Sequence, residues 1–131
     1  MTDKPLQGMR VIDLTHVLSG PYCTYQLGML GAEVIKIESP KGDMVRRWGG
    51  DRTQLKLGLG SGFVSQNAGK RSVVADIKTE RGRQLVRDLV KTADIFVENF
   101  RPGTMAKHNL GYETLSEINP ALIYLSISAF G

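Results

Sequence analysis

Residues 10 to 38 spell a strand, a helix and a second strand, and so short a spacing leaves few folds open. Arg10–Leu14 (RVIDL) is a β-branched run that reads as a strand. Pro21 suits the first residue of a helix, with Ser19 or Gly20 near its cap. That helix is expected to run to about Leu30, where Gly31 ends it in a left-handed turn. Glu33–Glu38 (EVIKIE) reads as the next strand. Two strands joined by a crossover helix pair in parallel.

The rest of the chain continues the alternation after an interruption. Ser39 to Gly62 holds six glycines and one proline with little apolar periodicity, and reads as a long, mostly irregular crossover. Phe63–Gln66 is a short helix or strand, and Arg71–Ile77 (RSVVADI) reads as a strand. Thr79 can cap a helix in which Leu85, Val86, Leu89 and Val90 share one stripe. Asp94–Val97 is a further strand. Short helices follow, one starting at Pro102 and one over Thr114–Ile118 that Pro120 stops. Leu122–Ser128 is the last strand. About five strands alternating with helices imply an α/β class with a mainly parallel sheet. Ending at Gly131 directly after a strand, the chain is expected to be a fragment, a split gene product or a domain completed by another chain.

Charge narrows the partners. The formal net charge is +4, yet no uninterrupted basic block occurs, so the basic residues are either a solvated surface or a match to an anionic partner. Nucleic acid is not supported, because no basic-plus-aromatic recognition motif is present. A phosphate-bearing small molecule fits better. No apolar run approaches the roughly 20 residues of a membrane span, and the N-terminus lacks a signal-peptide core. Cys23 is the only cysteine, so no internal disulfide forms, and a cytoplasmic location is expected.

Three loops follow strands: His16–Pro21, Ser39–Asp43 and Asn99–Gly103. In a parallel sheet all three lie at one edge, where helix starts offer free N–H groups to phosphates. The common phosphate motifs are absent, and the glycine-dense Gly58–Gly62 follows no clear strand. Candidate catalytic groups are sparse. His16 and His108 are the only histidines. His16 sits at a strand end and suits ligand contact, while His108 reads as surface. Two histidines and one cysteine make no metal site. Cys23 reads as packing and Ser19 has no partnered base. Asp13, Glu38 and Glu98, all at strand ends, read as capping or pairing groups.

Four stretches together resemble family III CoA-transferases, the CaiB/BaiF group that includes formyl-CoA transferases. They are GMRVIDLTHVLSGP (Gly8–Pro21), LGAEVIKIESPKGD (Leu30–Asp43), NAGKRSVVAD (Asn67–Asp76) and DIFVENFRPG (Asp94–Gly103). The last continues through Leu110-Gly111-Tyr112 to Asn119-Pro120 and LIYLSISAFG. The resemblance implies that residues 1–131 are the N-terminal part of a Rossmann-like large domain, without its C-terminal part or the smaller domain. It implies transfer of CoA from an acyl-CoA donor to a small carboxylic acid through an aspartyl intermediate, with no metal. The implied partner is a second, interlocked copy or a complementing C-terminal chain.

By the same resemblance, His16, Val17, Leu18 and Ser19 lie against the cofactor. Asn67, Lys70 and Arg71 lie near its nucleotide end, and Asn99, Phe100 and Arg101 hold its other side. Lys107 stands where many relatives have arginine. Lys70, Arg71, Arg101 and Lys107 are chemically apt for the phosphates of CoA. Ser39 replaces a basic residue common in relatives, and Ala129 replaces a glycine. The family's nucleophilic aspartate falls beyond Gly131, so no residue of this chain is assigned a catalytic role. Two alternatives stand beside this expectation: part of an acyl-CoA racemase of the same fold, and a non-catalytic CoA-binding remnant.

Overall fold

The structure is a computed structural model and describes residues 3–130. Its five strands, β1 (Arg10–Leu14), β2 (Glu33–Glu38), β3 (Arg71–Val74), β4 (Ile95–Glu98) and β5 (Ile123–Ser126), form one sheet in the order β3-β2-β1-β4-β5. Every pairing is parallel, with Ile12 opposite Ile35 on one side and Phe96 on the other. Parallel strands need both faces covered. Their alternation therefore supplies two apolar surfaces. Val11, Val34, Ile95 and Val97 face one way, packed by Leu27 of helix α1 (Ser19–Met29). Ile12, Leu14, Ile35, Ile37 and Phe96 face the other, packed by Val86 and Val90 of α4 (Glu80–Val90). Burying each such side chain stabilises the fold by roughly 1.5–3 kcal/mol.

The opening unit folds as its punctuation suggests. Pro21 sits in the first turn of α1, and Gly31 takes a φ of 112° after it, a conformation other residues resist. α4 starts where Thr79 Oγ1 accepts from the Gly82 N–H at 3.1 Å. The apolar stripe of α4 is narrower than the spacing indicates: Val86 and Val90 are fully buried, while Leu85 is turned outward.

One expectation is refined and another needs correcting. The crossover after β2 is irregular over more than half of residues 39–62, yet it also holds a 3-10 turn (Met44–Arg47), α2 (Arg52–Lys56) and the start of α3 (Ser61–Asn67), which takes up Phe63–Gln66 as a helix. Glycines at its pinch points hid these helices: a Cβ on Gly60 would stand 2.7 Å from the Trp48 carbonyl oxygen. Reciprocal bonds between Asp51 and Gln54 at 2.9 Å make a capping box that starts α2. Second, β3 does not run to Ile77. It stops at Val74 because β2 ends opposite it at Glu38, and Ala75–Lys78 become a loop. Two short helices, α5 (Thr104–Lys107) and α6 (Tyr112–Ile118), join β4 to β5.

Candidate functional site: a cavity at the carboxyl edge of the sheet

The chain steps outward from β1 to β2 and β3, then returns to place β4 on the other side of β1. Ligands of open α/β sheets bind where that reversal parts the loops. Here the parted loops follow β1 and β4, and they are stitched together. The His16 N–H donates to Asn99 Oδ1 at 2.9 Å, and Asn99 Nδ2 donates back to the His16 carbonyl at 2.8 Å. The Phe100 ring meets the His16 ring edge-on, centroids 4.4 Å apart. The buried Glu98 carboxylate accepts from the Phe100 N–H at 2.8 Å and fixes that turn.

A cavity of about 340 Å³ opens on the α4 side of this junction. Ile37, Ala75, Ile77 and Phe100 give it apolar walls, and His16, Lys78 and His108 give it polar points, beside the carboxylates of Asp76 and of Glu38 and Asp43, which are paired with Arg46 and Lys36. The walls suit a flat or apolar ligand part, and Lys78 is placed to meet an anionic one. Burial pushes the His16 imidazole below its ordinary value, and the nearby Asp43 carboxylate opposes this. The ring therefore favours its neutral form, able to donate from one nitrogen and accept at the other. A second, larger hollow of about 540 Å³ lies beyond Phe100, lined by Ser19, Asn99, Arg101, Ile127 and Phe130 among others.

Beneath the first loop lies a buried set of charges. Asp13 and Lys36 are neighbours across β1 and β2, facing α1. Lys70 Nζ lies 2.8 Å from each of four oxygens, Asp13 Oδ2, the Pro21 carbonyl, Thr24 Oγ1 and Asn67 Oδ1, among which its three N–H groups are shared. Lys36 Nζ donates to the Thr15 carbonyl at 2.7 Å and lies 3.3 Å from Asp43 Oδ2. Among the described residues, every buried side-chain nitrogen and oxygen has a hydrogen-bond partner. Such saturation is what makes interior charge tolerable.

The residues singled out from the sequence therefore divide. His16 and Phe100 line the smaller cavity, and Ser19, Asn99, Phe100 and Arg101 line the larger one. Val17 and Leu18 lie on the same loop, with Leu18 exposed. Lys107 is exposed beside His108, which lines the smaller cavity rather than standing as plain surface. Asn67, Lys70 and Arg71 are not brought there. Asn67 is buried and donates to the Phe63 carbonyl at 2.9 Å, and the Lys70 side chain is only 3% exposed because its ammonium is consumed inside. Arg71 opens β3 and pairs with Glu33 at 2.6 Å, toward the amino edge of the sheet. In their place the structure brings up Ala75–Lys78, Thr104 and His108. The local signal for Lys78 is the Asp76-to-Thr79 turn, which the strand-like run up to Ile77 masks.

Among the described residues, no group of three or more His, Cys, Asp or Glu side chains is placed to hold a metal ion, and no helix is long and apolar enough to cross a membrane.

Comparison with known proteins adds the lineage. The pattern of CoA-transferase family III matches residues 6–131. A succinate–glutarate CoA-transferase of Agrobacterium fabrum is 48% identical over 131 residues, which is 97% of this chain and 33% of that protein. A formyl-CoA:oxalate CoA-transferase of Streptomyces coelicolor is 41% identical over all of this chain and 31% of its own length. The crystal structure of a CaiB/BaiF family protein from Brucella suis superposes with a TM-score of 0.90 at 47% identity, over 98% of this chain and 34% of that one. The chain thus spans about a third of the length of these relatives. It belongs to CoA-transferase family III.

Proposed function

We propose that this chain binds coenzyme A and its thioesters across the carboxyl edge of its sheet, as part of an enzyme that moves CoA from an acyl-CoA donor to a carboxylic acid. One observation carries the reading: the cavity where the loops after β1, β2, β3 and β4 converge has apolar walls and one cation, Lys78, at its lining. A nucleotide ring packs against Ile77 and Phe100, and Lys78 and Lys107 offer charge to phosphates at the rim. Phe100 lines both this cavity and the larger hollow, which suits the thioester arm and its acyl group.

The transfer chemistry balances without any redox partner. A carboxylate oxygen attacks the thioester carbonyl, the C–S bond breaks, and the thiolate leaves with the bonding electrons, giving a mixed anhydride. The thiolate then attacks the enzyme's own acyl carbon and frees the donor acid. The acceptor carboxylate runs the same steps in reverse. We place the attacking aspartate outside these residues. Asp13 and Asp43 are buried and their oxygens are committed to hydrogen bonds, so neither can meet a thioester. The rest of the full-length protein, a second copy of it or a complementing chain is the proposed source of the attacking group.

Titration calorimetry of the full-length protein tests the binding step. CoA is expected to bind at one site per chain, and dephospho-CoA roughly tenfold more weakly through loss of one charge-assisted contact. Absence of any CoA binding contradicts the proposal. Transfer between an acyl-CoA and an added acid, without incorporation of solvent deuterium beside the carbonyl, separates a transferase from a racemase.

A further inference from the structure

The loop after β1 contains a backbone anomaly. Val17 has a φ of 68°, the left-handed region, where a β-branched residue is disfavoured. Something must hold it there. Its N–H points at Asp43, with Oδ2 at 3.2 Å and Oδ1 at 3.4 Å. With the Gln66 amide turned to satisfy both of its atoms, its nitrogen donates to the Val17 carbonyl at 2.9 Å and the Leu18 carbonyl at 3.0 Å. Both sides of the strained residue are thus gripped by side chains from the segment after β2.

Asp43 is itself fixed from several directions. Its N–H donates to Glu38 Oε2 at 3.0 Å, the Val45 N–H donates to its Oδ1 at 3.2 Å, and the Lys36 ammonium lies 3.3 Å away. Lys36 also grips the Thr15 carbonyl, two residues before Val17. One buried ion pair therefore spans the base and the tip of the turn. The turn presents the His16 ring to Phe100 and the cavity, and leaves Leu18 exposed on the same loop.

We propose that Asp43, backed by Lys36, is a positioning residue: its carboxylate keeps Val17 left-handed and so aims His16 and Leu18 at the ligand. This rests on the reading of the cavity as a CoA site. Asp43 also caps the 3-10 turn that follows it, and a purely structural cap has no reason to depend on which residue occupies position 17. Glycine adopts the left-handed region freely, so Val17→Gly removes the need for a clamp.

The test is a double-mutant cycle on CoA affinity in the full-length protein. Asp43→Asn keeps the shape but leaves one acceptor oxygen for two backbone donors. It is expected to weaken CoA about fivefold, the scale of one strained residue released. In a Val17→Gly background the same change is expected to cost less than about twofold. Equal losses in both backgrounds, or no loss in either, overturn the proposal. Amide exchange at Val17 in the unmodified protein needs no variant and no ligand. Strong protection is expected, and exchange at the unprotected rate overturns the proposal even if Asp43→Asn fails to fold. If the unmodified protein binds no CoA, the CoA reading fails on its own, and Val17 exchange compared with Asp43→Asn still decides whether the clamp exists.

Discussion

Glu38 is almost wholly buried at the end of β2, and burial alone would push its carboxyl up. The Arg46 guanidinium at 2.7 Å, the Asp43 N–H and the Ser72 hydroxyl outweigh that and hold it at about 2. A depressed carboxyl binds protons more weakly folded than unfolded. Its contribution is therefore full above the unfolded value near 4.5 and drains away as pH falls toward 2. The shift corresponds to on the order of 3 kcal/mol. Thermal melts between pH 6 and pH 3 are expected to show this loss in the unmodified protein and to flatten in Glu38→Gln. Equal slopes would remove Glu38 from the account. Lys70 makes the complementary point. Burial pushes its ammonium below its ordinary value, and Asp13 opposes this. Lys70→Met leaves Asp13 an unpaired interior charge, at a cost of about 3–5 kcal/mol in urea unfolding. A change under about 1 kcal/mol would show that the pair is exposed rather than buried. This residue was not legible from its neighbours. A lysine after Gly69 looks like surface, and only the packing of α3 against α1 turns it inward.

Elements with their own punctuation were legible; those shaped by their neighbours were not. Pro21 and Gly31 bound α1, and Thr79 starts α4, so the sequence placed them closely. Nothing local says that β3 must stop at Val74, because that limit is the end of β2. The loop it releases is held by a close approach: a Cβ on Gly82 would stand 2.0 Å from the Asp76 carbonyl oxygen. Gly82→Ala is expected to destabilise the fold by about 1–3 kcal/mol and, by displacing Asp76–Lys78, to weaken CoA several-fold. Wild-type affinity in a destabilised variant would show that this loop does not touch the ligand. Lys78 and Arg71 give a direct contrast, since they flank one strand and face opposite edges. Lys78→Ala is expected to weaken CoA roughly tenfold and Arg71→Ala less than twofold. The reverse ranking, read by calorimetry, would return the nucleotide end to Arg71.

At the scale of the molecule, sheet order does the most for function. The alternation of strands and helices implied a parallel sheet, but the placement of β4 beside β1 lies in no single motif. That placement brings His16 to Asn99 and Phe100 across more than eighty residues of sequence. Of the expected contacts, those on the loops after β1 and β4 converge, and those on the turn before β3 do not, because residues before a strand lie at the far edge from residues after one. A structure of the full-length protein with CoA bound tests the central claim most directly. The expected result places the nucleotide against Ile77, Lys78 and Phe100 in the smaller cavity, with the thiol arm passing His16. CoA bound instead beside Arg71 and Glu33, at the amino edge of the sheet, would contradict it.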